Sequence, residues 1–335
     1  MTLEEAIAAG RISPEWAEQR AKQWGRDSAM YANRVLGEFH ASDEDSVIPL
    51  AWVEAAIERW HAWVDTGRPE VDGRRLLGVD VARSGGDSTV LCHRRGAAAR
   101  TRASRAPGLL LRGAGITPNS SARARLLPRL YGPVPGTWCL VIAALETHDR
   151  EDTMRTTARV QGALGEEEGA AAVVDSIGVG GGVVDRLREL GAPVLAYTGS
   201  AGTKLRTRDR EFGFKNTRSA ALWKLRELLD PAFGAELALP PDDLMVADLT
   251  TPTWDITTGV PPKIKVEPKE DVAARLGRSP DRGDAVAMAM YAEYLAASKL
   301  HAPGGQRDTK LSKAASRYGR PTTQGLPHMK AGLGR

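Results

Sequence analysis

Two short apolar runs on either side of a glycine-rich turn constrain the fold of this chain most. Residues 76–82 (LLGVDVA) and 88–92 (STVLC) flank the turn cluster RSGGD at 83–87. Apolar runs of this length separated by Gly and Asp residues predict a β-hairpin. Asp80 is an exception within the pattern, because it puts a carboxylate inside the first strand.

Strands and helices alternate after this hairpin. The β-β-β-α-β-α-β order through residue 197 predicts a mixed α/β fold. The predicted elements are strands at 138–145, 170–175 and 194–197, helices from 149 and after the glycines at 178–182, a helix at 216–229, a hairpin at 254–266 and a long helix at 281–297.

The composition divides the chain into segments. Residues 1–70 are predicted to be helical, with Ser13 and the following proline as a helix start, and residues 71–298 form the α/β domain. Within that domain, residues 94–136 have no stable period and are predicted to be a poorly ordered insertion. Residues 299–335 are predicted to be a disordered basic tail.

Charge is distributed unevenly, although the formal net charge is only +4. Residues 94–129 contain nine arginines and no acid, and residues 299–335 contain eight basic residues against one acid. Basic arms gain affinity for polyanions by releasing counterions from phosphates. The two segments therefore indicate a polyanionic partner or, as the alternative, a means of keeping the protein in solution.

Several classes of protein are disfavoured. The chain has no run of about 18 apolar residues, and its N-terminus lacks the basic and apolar regions of a signal peptide. Cys92 and Cys139 form no CxxC pair, and the six histidines are scattered. We therefore expect a cytoplasmic protein with no membrane-spanning segment. We also expect no zinc site, no Fe–S cluster and no disulfide bond, and the two cysteines should be small buried residues.

Acidic residues on three elements fall where a metal site can be built. Asp80 lies inside a strand, where an unpaired buried carboxylate is costly. Asp175 ends the strand at 170–175, before glycines that permit close approach of backbone or ligand. Asp281 and Asp284 lie three residues apart on one face of the last helix. Such carboxylates can converge at one sheet edge as an all-oxygen site for Mg²⁺ or Mn²⁺.

Each acid also has a purely structural interpretation. Asp80 could pair with an arginine, and Asp175 could cap the turn into the next helix. With Ser279 as N-cap, Asp281 would be the second residue of its helix, where an acid complements the helix dipole. Capping explains Asp284 less well, because it lies one turn deeper.

Common nucleotide-binding and hydrolase motifs are missing from the sequence. The run GVGGG at 178–182 does not complete GxGxxG, because residue 183 is valine, and Asp175 would repel a pyrophosphate. No GxxxxGK[ST], GxSxG or HExxH occurs. We therefore expect no P-loop ATPase, Rossmann site, serine hydrolase or zincin in this chain.

Four motifs stand in a characteristic order and spacing: GVDVARSGGDSTVL (78–91), VVDSIGVGGGVVDRL (173–187), FKNTRSAALWKLRELL (214–229) and EPKEDVAARLGRSPDRGDAVAMA (267–289). Together they resemble the nuclease portion of the large terminase subunit of tailed bacteriophages. The resemblance covers residues 10–93 and 137–297. It implies an RNase H-like mixed sheet flanked by helices, and two-metal endonuclease activity in viral DNA packaging.

The matching motifs also imply roles for individual residues. Asp80, Asp175 and Asp284 would be the catalytic metal ligands for two Mg²⁺ or Mn²⁺ ions, with Asp281 as an accessory or competing ligand. Lys269 would be a phosphate contact, and a solvated surface lysine is an equally good explanation of it.

The partners implied by the resemblance are double-stranded DNA, a terminase small subunit, the portal and an ATPase motor, all in the bacterial host cytoplasm. Residues 13–39 look like the stretch that joins motor to nuclease, and the chain begins almost directly in it, so we expect a separate motor. Residues 94–136 stand where the family has only a modest connection between two strands of the sheet. It therefore stays open whether the chain is a split, a truncated or an inactive gene product. The alternatives are another RNase H-like nuclease, such as a Holliday-junction resolvase, or a catalytically inactive DNA-binding or docking relic.

Overall fold

The computed structural model describes residues 3–26, 28, 31–37, 45–82, 88–96, 140–149, 151–166 and 169–300, with side chains up to residue 294. The turn at 83–87, Cys139, residues 97–136 of the predicted insertion and residues 301–335 of the predicted tail lie outside this part. The predicted start of the insertion at residue 94 is wrong, because the second strand continues to Gly96. Arg94 is buried there and pairs with Glu293.

Helices form the N-terminal segment, as predicted, and its helix at Leu50–Asp65 packs against the strands at Leu140–Asp149 and Leu237–Ala238. The Ser13 hydroxyl accepts a hydrogen bond from the backbone N–H of Trp16 (3.1 Å), which confirms the predicted helix start. No helix in the described ranges combines the length and apolar character needed to cross a bilayer. The α-helices are α1 Leu3–Ala8, α2 Pro14–Trp24, α3 Leu50–Asp65, α4 Thr153–Glu166, α5 Gly180–Glu189, α6 Thr217–Leu229, α7 Asp243–Thr250, α8 Lys269–Leu276 and α9 Asp281–Leu300, with a π-helix at Ala32–Leu36.

The strands form a large and a small sheet. The large sheet has the order β5-β4-β1-β2-β3-β7, and the small sheet has the order β6-β9-β8. The strands are β1 Arg75–Asp80, β2 Ser88–Gly96, β3 Leu140–Asp149, β4 Ala171–Asp175, β5 Val194–Tyr197, β6 Gly213–Phe214, β7 Leu237–Ala238, β8 Trp254–Thr257 and β9 Lys263–Val266.

The large sheet is mixed, because it contains both antiparallel and parallel strand pairs. The predicted hairpin is present, with β1 antiparallel to β2, and β3 runs antiparallel to β2. Strands β4 and β5 continue on the other side of β1, parallel to it and to each other. The predicted mixed α/β class is therefore confirmed, and the carboxyl ends of three parallel strands lie at one edge.

Side-chain alternation along β1 decides what each face of the sheet holds. Leu77 and Val79 pack in a cluster with Val160 of α4 and Val183 of α5. Gly78 and Asp80 point to the opposite face, because successive residues of a strand alternate. Helix α9 packs on that face, so Asp80 is turned toward the last helix.

Candidate active site

Asp80 and Asp175 end neighbouring parallel strands. They are the last residues of β1 and β4, one position beyond the paired Val79 and Val174. Asp80 is buried with 5% of its surface exposed, whereas Asp175 is half-buried and accepts a hydrogen bond from the backbone N–H of Ile177 (3.1 Å). Both predicted site residues therefore lie at the same sheet edge.

Helix α9 brings Asp281 and Asp284 to that edge. It packs directly on β1 at Gly78, where a Cβ atom would lie 2.2 Å from the carbonyl oxygen of Ala285. Only glycine allows this separation, so Gly78 fixes how closely the helix approaches the sheet. Asp281 and Asp284, one turn apart, then face the end of β1, which agrees with the prediction that they share a helix face.

The side chain of Lys269 lies at the centre of these acids. Its Nζ is 2.8 Å from Asp80 Oδ2, 3.1 Å from Asp281 Oδ1 and 3.1 Å from Asp284 Oδ2. Lys269 is the first residue of α8, and 30% of its side chain is exposed. Three carboxylates from a strand and a helix therefore converge on a single positive charge.

A second cation, Arg218 of α6, contacts the same cluster from another side. Its Nε lies 3.4 Å from Asp284 Oδ1, and its terminal nitrogen donates a hydrogen bond to the carbonyl oxygen of Glu267 (2.5 Å). Both Arg218 and Asp284 have 14% of their side chains exposed. Arg218 thus ties Asp284 to the chain segment that carries Lys269.

Burial and these cations set the protonation of the acids. Burial raises the pKa of Asp80 to about 7, with Lys269 opposing the shift and Asp281 and Asp284 adding to it. Burial likewise raises the pKa of Asp175. For Asp284, burial is outweighed by Arg218 and Lys269, so the pKa of Asp284 is lowered. The cluster therefore depends on positive charge to stay ionised.

The donor set suits a hard divalent cation. Carboxylate oxygens are the preferred ligands of Mg²⁺ and Mn²⁺, and three of them already surround one cationic atom. Among the described residues, however, no three acidic, His or Cys side chains lie close enough to hold an ion as they stand. The carboxylate oxygens are therefore the right type of ligand atom for such an ion, and the Lys269 ammonium lies between them.

A buried acid that was not predicted from the sequence caps the N-terminus of α9. Asp248 of α7 accepts hydrogen bonds from the backbone N–H groups of Arg282 and Gly283, both at 3.1 Å, and pairs with Arg278 at 2.5 Å. The predicted N-cap at Ser279 is wrong. Helix α9 begins at Asp281, because Asp248 satisfies its free N–H groups from outside the helix.

The glycine run at 178–182 has a packing role. A Cβ atom on Gly180 would lie 1.9 Å from the carbonyl oxygen of Asp175. Helix α5 can therefore start directly behind Asp175 only because residue 180 is glycine. This confirms the predicted close approach of backbone to Asp175.

Arg218, Asp248 and Arg278 were not singled out from the sequence. Asp248 could have been identified from the sequence, because it is a lone acid within the apolar stretch LMVADLT at 244–250. Asp80 is a lone acid within its strand in the same way. Arg218 and Arg278 lie inside the motifs at 214–229 and 267–289. Nothing in those motifs distinguishes a partly buried, ion-paired arginine from a solvated one.

Solved structures of the nuclease domain of the large terminase subunit of bacterial virus Sf6 are similar to this chain. The domain itself has 17% sequence identity and a TM-score of 0.50, over 73% of this chain and 98% of that domain. A variant of it with manganese and beta-thujaplicinol has 16% identity and a TM-score of 0.50, over the same shares. No protein-family model and no curated protein matches the chain. The RNase H-like fold implied by the four motifs is thereby confirmed.

Proposed function

We propose that this chain is a metal-dependent DNA endonuclease, the nuclease module of a phage or prophage terminase large subunit acting in viral DNA packaging. The observation that carries the proposal is the convergence of Asp80, Asp281 and Asp284 on one positive charge at the carboxyl edge of the sheet. Buried carboxylates repel one another, so a fold that gathers them indicates a cationic ligand rather than a stabilising device.

In this proposal, Asp80, Asp175 and Asp284 are metal ligands, with Asp281 as a further ligand. Two Mg²⁺ or Mn²⁺ ions held by such residues would supply an activated water and would stabilise the leaving oxygen of a phosphodiester. Asp80 is fixed by strand β1 and Asp284 by helix α9 and Arg218. The fold likeness to a nuclease domain solved with manganese supports this choice of ion.

Lys269 has two successive roles in this proposal. In the metal-free protein its ammonium neutralises the acids, which would otherwise repel each other. With a divalent cation held by the acids, the partly exposed side chain of Lys269 would be free to contact a DNA phosphate, which is the role implied by the motif.

Cleavage of supercoiled plasmid by the purified chain tests the proposal. We expect nicked and linear products with Mn²⁺ and none with EDTA. Equal cleavage in EDTA would overturn the metal dependence, and strong preference for a four-way junction over plasmid would identify a resolvase instead. DNA binding without cleavage at any Mn²⁺ concentration would identify an inactive relic.

A further inference from the structure

Basic side chains are concentrated on the chain segment that follows β5 and on β9. All are exposed; the exposed acids nearby are Asp209 and Glu211 on the first of these segments and Asp255 on β8, opposite Lys265 of β9. None of these basic residues forms an ion pair with a carboxylate of the described ranges. We call this set the basic surface; it comprises Lys204, Arg206, Arg208, Arg210, Lys215, Lys263 and Lys265.

The small sheet joins these residues into one surface. Arg206 forms an isolated bridge with Gly213 of β6, and Gly213 pairs in turn with Lys263 of β9. Lys215 and Lys263 line a common hollow of about 360 Å³ with the hairpin loop at 257–261. A second hollow of about 520 Å³ is lined by residues 204–208 and Arg210.

The basic surface adjoins the acids at both of its ends. Tyr197, the last residue of β5, pairs with Asp175, and the carbonyl of Gly199 accepts a hydrogen bond from the backbone N–H of Arg218 (2.9 Å). The segment then continues into Lys204. At the other end, Val266 closes β9 three residues before Lys269.

Basic residues on the opposite face of the sheet behave differently. Arg159 pairs with Glu151 at 2.7 Å, Arg186 with Glu189 at 2.9 Å and Arg188 with Asp185 at 3.5 Å. A solvated face normally mixes charges in this way. The basic surface instead has seven basic residues against three exposed acids, with no ion pair among them in the described part of the chain. This excess of positive charge is the electrostatic footprint of a phosphate-binding surface.

We propose that the basic surface binds the phosphate backbone of duplex DNA and leads it to the acidic cluster, so that Lys215 and Lys263 contact phosphates beside the cleaved bond. The cleavage part of this statement rests on the proposed function. The binding part does not require cleavage.

The proposal is tested by measuring DNA binding to the purified chain in EDTA, which removes divalent ions and so prevents cleavage by the proposed nuclease. The probe is a short fluorescent DNA duplex, followed by anisotropy over a range of salt concentrations. We expect the double variant Lys215→Gln/Lys263→Gln to bind roughly tenfold more weakly at low salt, with the slope of log K against log salt smaller by about two, because two phosphate contacts are lost.

A control with the same change in net charge is Lys22→Gln/Arg155→Gln, on exposed positions of α2 and α4. We expect it to bind as wild type does. Equal weakening of both double variants, or no weakening of either, would overturn the basic surface as the binding site. Because EDTA separates binding from cleavage, a wild-type chain that never cuts DNA would refute the proposed nuclease and leave this result standing.

Discussion

The ammonium nitrogen of Lys269 lies 2.8 Å from a carboxylate oxygen of Asp80, a contact between residues 189 positions apart in the sequence. It links the end of the first strand to the start of α8, and the same nitrogen reaches two acids of α9. The contact therefore explains how metal-free carboxylates can be buried together in this fold.

Lys269→Met should destabilise the protein in EDTA, by about 1–3 kcal/mol, because the buried acids lose their counter-charge. Added Mn²⁺ should then raise the melting temperature of the variant more than that of wild type, since no ammonium has to be displaced. Thermal unfolding with EDTA and with Mn²⁺ measures both effects, and Lys22→Met, on the exposed face of α2, is the control. A variant as stable as wild type in EDTA would show that the acids do not depend on Lys269.

The free energy of unfolding should depend on pH through the raised pKa of Asp80. Its pKa is about 7 in the folded, metal-free protein and about 4 in the unfolded chain. The folded state holds the extra proton between these values, so this stabilisation is complete below about pH 4 and is lost as the pH rises through about 7. In EDTA, the free energy of unfolding of wild type relative to Asp80→Asn should therefore fall from about pH 5 to pH 8. A difference that is constant over this range would contradict the burial of Asp80.

Gly180→Ala should displace Asp175, because the new Cβ would lie 1.9 Å from the carbonyl oxygen of that residue. We expect a loss of about 1–3 kcal/mol in the free energy of unfolding, together with reduced cleavage. Gly182→Ala is the matched control two residues along α5, where nothing lies within 4 Å. The control should be unchanged or up to about 1 kcal/mol more stable. Urea denaturation of both variants checks this, and equal effects would rule out the close contact at Gly180.

Asp248→Ala should destabilise the protein by about 3 kcal/mol, because it removes the counter-charge of Arg278 and the acceptor of two N–H groups of α9. Asp185→Ala, with a side chain 76% exposed, should cost no more than about 0.5 kcal/mol. At temperatures where the Asp248 variant is still folded, its cleavage should also be slower, since Asp281 and Asp284 lose their support. Unchanged stability would remove Asp248 as the anchor of α9.

Much of this arrangement could be predicted from local pattern. Apolar runs around turn residues gave β1, β2, β4 and β5 within a few residues, and a lone acid in an apolar run identified Asp80. The second strand was predicted too short because Arg94 looks like a surface residue; only its long-range pairing with Glu293 buries it. The Asp248 cap and the central position of Lys269 are likewise tertiary contacts, which no sequence period encodes.

The most direct test of the proposed nuclease site compares wild type with Asp80→Asn in Mn²⁺, scoring plasmid cleavage and DNA affinity on the same preparations. The substitution keeps the size of the side chain and removes one buried metal-binding carboxylate. We predict that measurable cleavage is abolished, while DNA affinity is unchanged or slightly higher because a negative charge near the phosphates is gone. Cleavage by Asp80→Asn at the wild-type rate would contradict the assignment of the acidic cluster as the catalytic site.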